Sequence, residues 1–248
     1  MNILLIVIII AAFVGSILTF FSGFGLGTIL VAVFTVFFAP ELAIAMTAIV
    51  HLFNNVFKLF LTYKNVNRII LVRFGVPSIL ASFIGAIVLM KLGEVSAFHR
   101  EYNLQKIIGV VFMMFALFEL LTALKELKLS ERYLTFGGII SGFFGGFSGH
   151  QGALRSAFLA KAGLSKEELI GTSVVIACFI DISRLIIYRS SIKWEFITDN
   201  KLVLFSAILS AFCGAFLGNK FLKKTKLQSI QYLIFGFLFL FGFYLFIK

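Results

Sequence analysis

Two runs of small and polar residues interrupt the most apolar parts of this chain, and they are where chemistry is available. The first is Ser22-Gly23-Phe24-Gly25-Leu26-Gly27, followed by Thr28; the second is Gly145-Gly146-Phe147-Ser148-Gly149-His150-Gln151-Gly152. Glycine at this density breaks a helix and uncovers backbone. Where a helix restarts, its first N–H groups have no intrahelical partner and its dipole presents roughly half a positive charge. That is a ready place for an anion. The candidate ligands are Ser22, Gly23, Gly25, Gly27 and Thr28 from the first break. From the second they are Gly146, Ser148, Gly149, His150, Gln151 and Gly152. Glycines also let helices pack closely, but Ser, His and Gln add nothing to that. Arg155 follows the second break, in a stretch (133–160) with no other charge. An arginine at the bilayer centre costs about 2.5–3.5 kcal/mol on insertion scales, so it faces a cavity or a partner. Beside a helix N-terminus its planar fork suits an oxyanion.

Asp181 and Arg184 stand three apart in an apolar segment, on one helix face. They read as a self-neutralised structural pair, or with Asp181 as proton carrier or gate partner of Arg155. Asn55 and Lys58 occupy the corresponding places earlier in the chain, which makes Asn55, Asp181 and Arg184 candidates for gating or coupling. Asn54 and Asn55, with His51 one turn before them, are positioned to line the same cavity, although a lone histidine on an apolar helix reads first as a packing residue. Glu41, after Pro40, compensates a helix dipole, and Glu119 is expected at the membrane interface. His51, His99 and His150 do not cluster, and Cys178 and Cys213 lie in apolar segments without metal-ligand spacing. Neither a metal nor a cofactor is expected. Gly146-Phe147-Ser148-Gly149 matches the G-x-S-G nucleophile signature of rhomboid intramembrane proteases. Those enzymes need a histidine on a later helix, and none follows His150. An intramembrane lipid-phosphate hydrolase using Ser148, His150 and Arg155 is the alternative kept open; a carboxylate cluster for its acid–base work is missing.

Composition says what must hold these residues. Of 248 residues 60% are hydrophobic and 13% charged, with 33 Phe and only 2 Pro. A soluble domain carries about a quarter charged residues, so this is an all-α polytopic membrane protein. Apolar runs fall at 3–38, 42–63, 69–90, 104–124, 133–160, 168–188, 202–222 and 227–247. The two long ones contain the glycine breaks. Residues 1–40 carry no charge, so they lack the basic start of a cleaved signal and read as retained membrane segment.

The two halves repeat. Gly15 to Phe24 (GSILTFFSGF) parallels Gly138 to Phe147 (GIISGFFGGF), and Ser78 to Lys91 (SILASFIGAIVLMK) parallels Ala207 to Lys220 (AILSAFCGAFLGNK). Leu104-Gln105 answers Leu227-Gln228. One transmembrane domain (1–248) is therefore built from a repeat over 1–127 and another over 128–248. If each broken segment dips in and returns as a re-entrant helical hairpin, each repeat crosses three times and the repeats are inverted. The loops near 63–69, 125–132, 161–167 and 220–226 then share one side and, with their flanks (Lys58 and Arg73 included), hold most of the 22 Lys+Arg, which favours that side as cytoplasmic. Drawn as single spans, the repeats would be parallel and the basic loops mixed; the inverted drawing is preferred.

On the paired breaks, each followed by a long apolar arm, the chain resembles the TauE/SafE sulfite exporter family over essentially its whole length. Gly146 to Arg155 stands where that family usually has three consecutive glycines, and Gly171-Thr172-Ser173 is similar to its Gly-Thr-Ser; Ala45-Met46-Thr47 stands there in the first half. The triple glycine is diluted and a following proline is missing, as in a divergent branch. The resemblance implies a permease, not an enzyme, that moves a small anion, often sulfur-containing: sulfite, a sulfonate or a sulfonated organic acid. It would sit in the inner (cytoplasmic) membrane as a multi-pass protein and work by alternating access. The implied partners are that anion and the lipid bilayer, with protons a candidate coupling ion, a homo-oligomer an open assembly, and no nucleic acid.

Overall fold

A computed structural model describes residues 3–22, 25–95, 100–125, 131–159, 162–192, 194–221 and 227–247, Ser22 by its backbone alone. Two candidate ligands, the Ser22 side chain and Gly23, therefore lie outside the described residues. The helices are α1 (Ile3–Ser22), α2 (Leu26–Phe37), α3 (Pro40–Thr62), α4 (Arg68–Ile70), α5 (Val76–Val95), α6 (Arg100–Lys125), α7 (Leu134–Ser148), α8 (Gly152–Leu159), α9 (Lys166–Ser191), α10 (Trp194–Asp199), α11 (Lys201–Phe221) and α12 (Leu227–Ile247). A π-turn at Leu71–Gly75 joins α4 to α5. Among the described residues there is no strand, and six helices are long and apolar enough to cross a membrane. Each long glycine-broken run has become two helices, α1–α2 and α7–α8. Of the other six runs, five are spans by length and apolarity, and the last forms α12, whose apolar stretch Gln231–Ile247 is shorter.

Local chemistry sets the boundaries. Pro40 opens α3 at a position that needs no N–H, and Glu41 lies in its first turn. Ser165 and Glu168 form a reciprocal capping box at the start of α9, with bonds of 3.1 and 2.9 Å. Polarity runs opposite to that of a soluble protein. Phe60, Ile69 and Leu240 are exposed on the outside, while Arg155 and Arg184 are among the largest fully buried side chains. The outer face suits lipid, and the interior holds the charge.

The main contacts cross between the halves: α1 with α11, α5 with α7, α3 with α9 and α6 with α12. Small residues let the backbones approach. On α7, Gly138, Gly142 and Gly146 pack in turn on the carbonyls of Phe74, Ser78 and Ser82, so α5 and α7 run parallel. On α11, Gly214 and Gly218 rest on the carbonyls of Phe13 and Ile17, and Ser210 Oγ donates to Ile9 O at 2.7 Å, so α1 and α11 also run parallel. The matched motifs explain themselves here, because Gly85 packs on the Phe143 carbonyl of α7 as Gly214 packs on that of Phe13. In contrast α3 and α9 are antiparallel, with His51 beside Asp181 and Thr62 beside Gly171. So are α6 and α12, with Lys106 over Phe246 and Phe112 beside Phe241.

At both breaks the chain doubles back. A Cβ on Gly15 would stand 3.3 Å from Leu26 Cδ1 and 3.5 Å from Ile29 Cδ1, so α2 lies along the end of α1. Ser141 Oγ donates to Gln151 O at 2.8 Å, and Phe158 covers Gly137, so α8 lies along α7. Glu119 is buried within the helix bundle. It is 2% exposed, on the face of α6 that meets α12, and is hydrogen-bonded to Gln231.

Candidate functional site

The two turns require glycine. Gly25 has φ 109° and Gly149 has φ 83°, the left-handed region that side chains avoid. Gly25 brings no side chain to cap α2, so the N–H groups of Leu26, Gly27 and Thr28 open the helix without an intrahelical acceptor. The first intrahelical bonds are Ile29 N to Gly25 O in α2 and Arg155 N to Gln151 O in α8.

The two breaks meet at the centre of the protein. A Cβ on Gly27 would stand 3.5 Å from the Gly149 carbonyl oxygen and 3.5 Å from His51 Cδ2; one on Gly149 would stand 3.0 Å from Arg184 Nη1. Beside this junction Asp181 is fully buried and fully engaged. Its Oδ1 accepts from Arg184 Nε at 3.0 Å and Nη2 at 2.7 Å; its Oδ2 accepts from His51 Nδ1 at 2.6 Å, with Asn55 Nδ2 at 3.5 Å. His51, read from sequence as a packing residue, is thus a hydrogen-bond partner of Asp181 that ties α3 to α9. Asp181 and Arg184 form the expected pair.

Donors are left over. Arg184 Nη1 and Gln151 Nε2 are buried without a hydrogen-bond acceptor among the described residues. Gln151 turns its oxygen to Arg155, whose Nη1 donates to it at 3.1 Å, and this leaves the amide nitrogen pointing away. Buried donors are rarely left unmet, and each one marks a place for an acceptor. Charge agrees. Among the described residues the buried Lys and Arg are Lys58, Arg155 and Arg184, and Asp181 is the carboxylate beside them, since Glu119 sits with Gln231 on α6 and α12.

Other expected ligands are placed differently. Gly146 belongs to packing, because its Cα abuts the Ser82 carbonyl of α5 and its own carbonyl accepts from the Tyr188 hydroxyl. His150 turns toward α6, its ring 4.5 Å from Phe112 and 5.1 Å from Phe115 between centroids. Its Nδ1 faces the Ser148 carbonyl at 3.0 Å and the Ser148 hydroxyl at 3.1 Å, while that hydroxyl donates to Phe144 O at 3.2 Å. Facing a carbonyl, Nδ1 holds the proton and Nε2 is an acceptor, the wrong polarity for an anion. Thr28 and Gly152 are buried in the first turns of α2 and α8. Lys58, counted in the sequence with the bases of a loop, is instead 5% exposed inside the bundle. The polar stripe Thr47, His51, Asn54 and Lys58, spaced by three and four along the largely apolar α3, is the signal that marks it.

Compared with known families, residues 7–245 match the model of the sulfite exporter TauE/SafE family. The chain belongs to the TauE/SafE family. It is therefore an integral, multi-pass membrane protein of a family of transporters. No curated protein and no solved structure matches it. The TauE/SafE-like Gly171-Thr172-Ser173 has a visible task. Gly171 lets α9 start against the carbonyls of Thr62 and Asn65, and Thr172 Oγ1 accepts from Asn67 N at 2.9 Å, which fixes the end of α3 to the start of α9.

Proposed function

We propose that this chain is a permease for a small sulfur-containing anion, sulfite, a sulfonate or a sulfonated organic acid, across the cytoplasmic membrane. The observation that carries the reading is the pair of unmet donors, Arg184 Nη1 and Gln151 Nε2, buried beside the point where the two breaks meet. Gly25, Gly27, Thr28, Ser148, Gly149, Gln151 and Gly152 would frame the anion, and Arg155 would offset its charge. The helix directions support two inverted repeats: the equivalent helices α3 and α9 are antiparallel, as are α6 and α12. Each doubled-back segment would then be a re-entrant hairpin, with the anion at the repeat interface, where secondary transporters hold their cargo. Rocking of one repeat against the other would alternate access, with Asn55, Asp181 and Arg184 tying α3 to α9. Protons would couple through Asp181 and its partner His51; a flux indifferent to a pH gradient would remove them from this account. Hydrolysis of a lipid phosphate is less well supported. Ser148 and His150 do touch, but no carboxylate orients His150 among the described residues.

The test is a thermal-shift screen of the purified protein against sulfite, sulfate and sulfonates. At least one of these raises the melting temperature of the wild type, and Arg155→Ala loses the shift. A melting temperature that no anion moves would overturn the reading.

A further inference from the structure

The two halves treat their buried base differently. In the second half Arg184 has an acid of its own, Asp181, three residues earlier and bound by two nitrogens. The repeat puts Asn55 and Lys58 in the same places in the first half, so there the acid has become an amide. Asn55 turns toward Asp181, 3.5 Å away, and brings Lys58 no charge. Lys58 is nonetheless buried, at 5% exposure. The amide of Asn54, oriented to satisfy both its ends, accepts from Lys58 Nζ at 3.3 Å and donates to Ala211 O at 3.2 Å and Ser16 Oγ at 3.1 Å. The ammonium also lies over Phe20, 5.4 Å from the ring centroid, near the end of α1. Lys58 thus lies near the end of α1 that leads to the first break, at the position that answers Arg184 in the repeat.

No carboxylate pairs with Lys58 among the described residues, and the charge that bears on it is that of Arg155, of the same sign. One amide oxygen and one ring face do not repay the hydration an ammonium loses on burial. Asp181 is engaged by Arg184 and His51, so Lys58 adds a buried positive charge that no carboxylate among the described residues offsets. In a carrier the missing counter-charge is most simply the cargo. We propose that Lys58 is a second cationic ligand of the transported anion and sets its valence, so that the site prefers a dianion to a monoanion of the same size. The proposal rests on the anion-site reading above and adds to it a residue and a charge class.

Sulfate and methanesulfonate separate these properties, since they differ by one oxygen exchanged for a methyl group and by one unit of charge. Calorimetric titration of the full chain in detergent micelles with each salt gives the ratio directly. Wild type binds sulfate about tenfold or more tighter than methanesulfonate, the scale of one charge-assisted hydrogen bond. Lys58→Gln removes most of that ratio by weakening sulfate, and Lys58→Arg keeps it. Asn55→Asp, which gives Lys58 the acid that Arg184 has, weakens sulfate selectively with the base still in place. A wild type that binds both salts equally overturns the proposal without needing any variant, as does a Lys58→Gln protein that loses both alike. A wild type that binds neither salt, nor sulfite, removes the anion site itself.

Discussion

At the residue scale, Asp181 decides how the centre holds together. It receives three close donors, two from Arg184 and one from His51, and all of these groups are buried. Removing one member of a buried pair leaves the other charge uncompensated, at a cost of about 3–5 kcal/mol, whereas removing both is far milder. Asp181→Asn should therefore lower the melting temperature of the purified protein much more than the double change Asp181→Asn with Arg184→Gln. Equal loss in the two would mean that the pair is not a unit. The glycines divide in the same physical way. Gly149→Ala places a side chain at φ 83° and against Arg184, so it should weaken anion binding. Gly146→Ala meets the Ser82 carbonyl, and should cost about 1–3 kcal/mol of stability while a surviving fold keeps its affinity. These two residues are alike in the sequence, where both are glycines of one break, and only dihedral angle and neighbours separate them. Arg155, Asp181 and Arg184 were legible as charges in apolar runs. His51 was not, because its meaning depends on a residue 130 positions away.

At the scale of elements, the two broken segments were legible from glycine density, and their doubling back was one of two ways to draw them. The register of each fold-back lies in contacts between side chains and glycines, which no periodicity reveals. The contact of Gly137 with Phe158 is the simplest to test. Gly137→Leu should overpack α7 against α8 by about 1–3 kcal/mol. Phe158→Ala in the same chain should recover at least half of the lost melting temperature, since residues in contact couple by about 0.5–3 kcal/mol. Absence of rescue would mean that α8 does not lie along α7. The repeated motif in α5 and α11 was visible as a match of letters. Its cause, a glycine in each seated on a carbonyl of the other half's broken helix, needed the packing. Lys58 shows the converse error. Its nearness to the bases after residue 62 hid its place in a buried stripe of α3.

For the whole molecule, low charge and long apolar runs were enough to read a polytopic helical protein, and the excess of bases is the ground for the orientation we propose. The inverted arrangement puts Asn65 and Asn200 on opposite sides of the membrane, with Asn65 cytoplasmic. With Cys213 replaced by Ala, an impermeant maleimide on intact cells should label a cysteine introduced at position 200 and leave one at 65 unlabelled; labelling of both from outside would break the topology. The transport claim is tested most directly by counterflow of radiolabelled sulfite in proteoliposomes. The account predicts uptake that rises with unlabelled sulfite inside, and its loss in Arg155→Ala protein that inserts and melts like the wild type. Uptake equal in the two proteins, or no counterflow of sulfite, sulfate or any sulfonate, would contradict it.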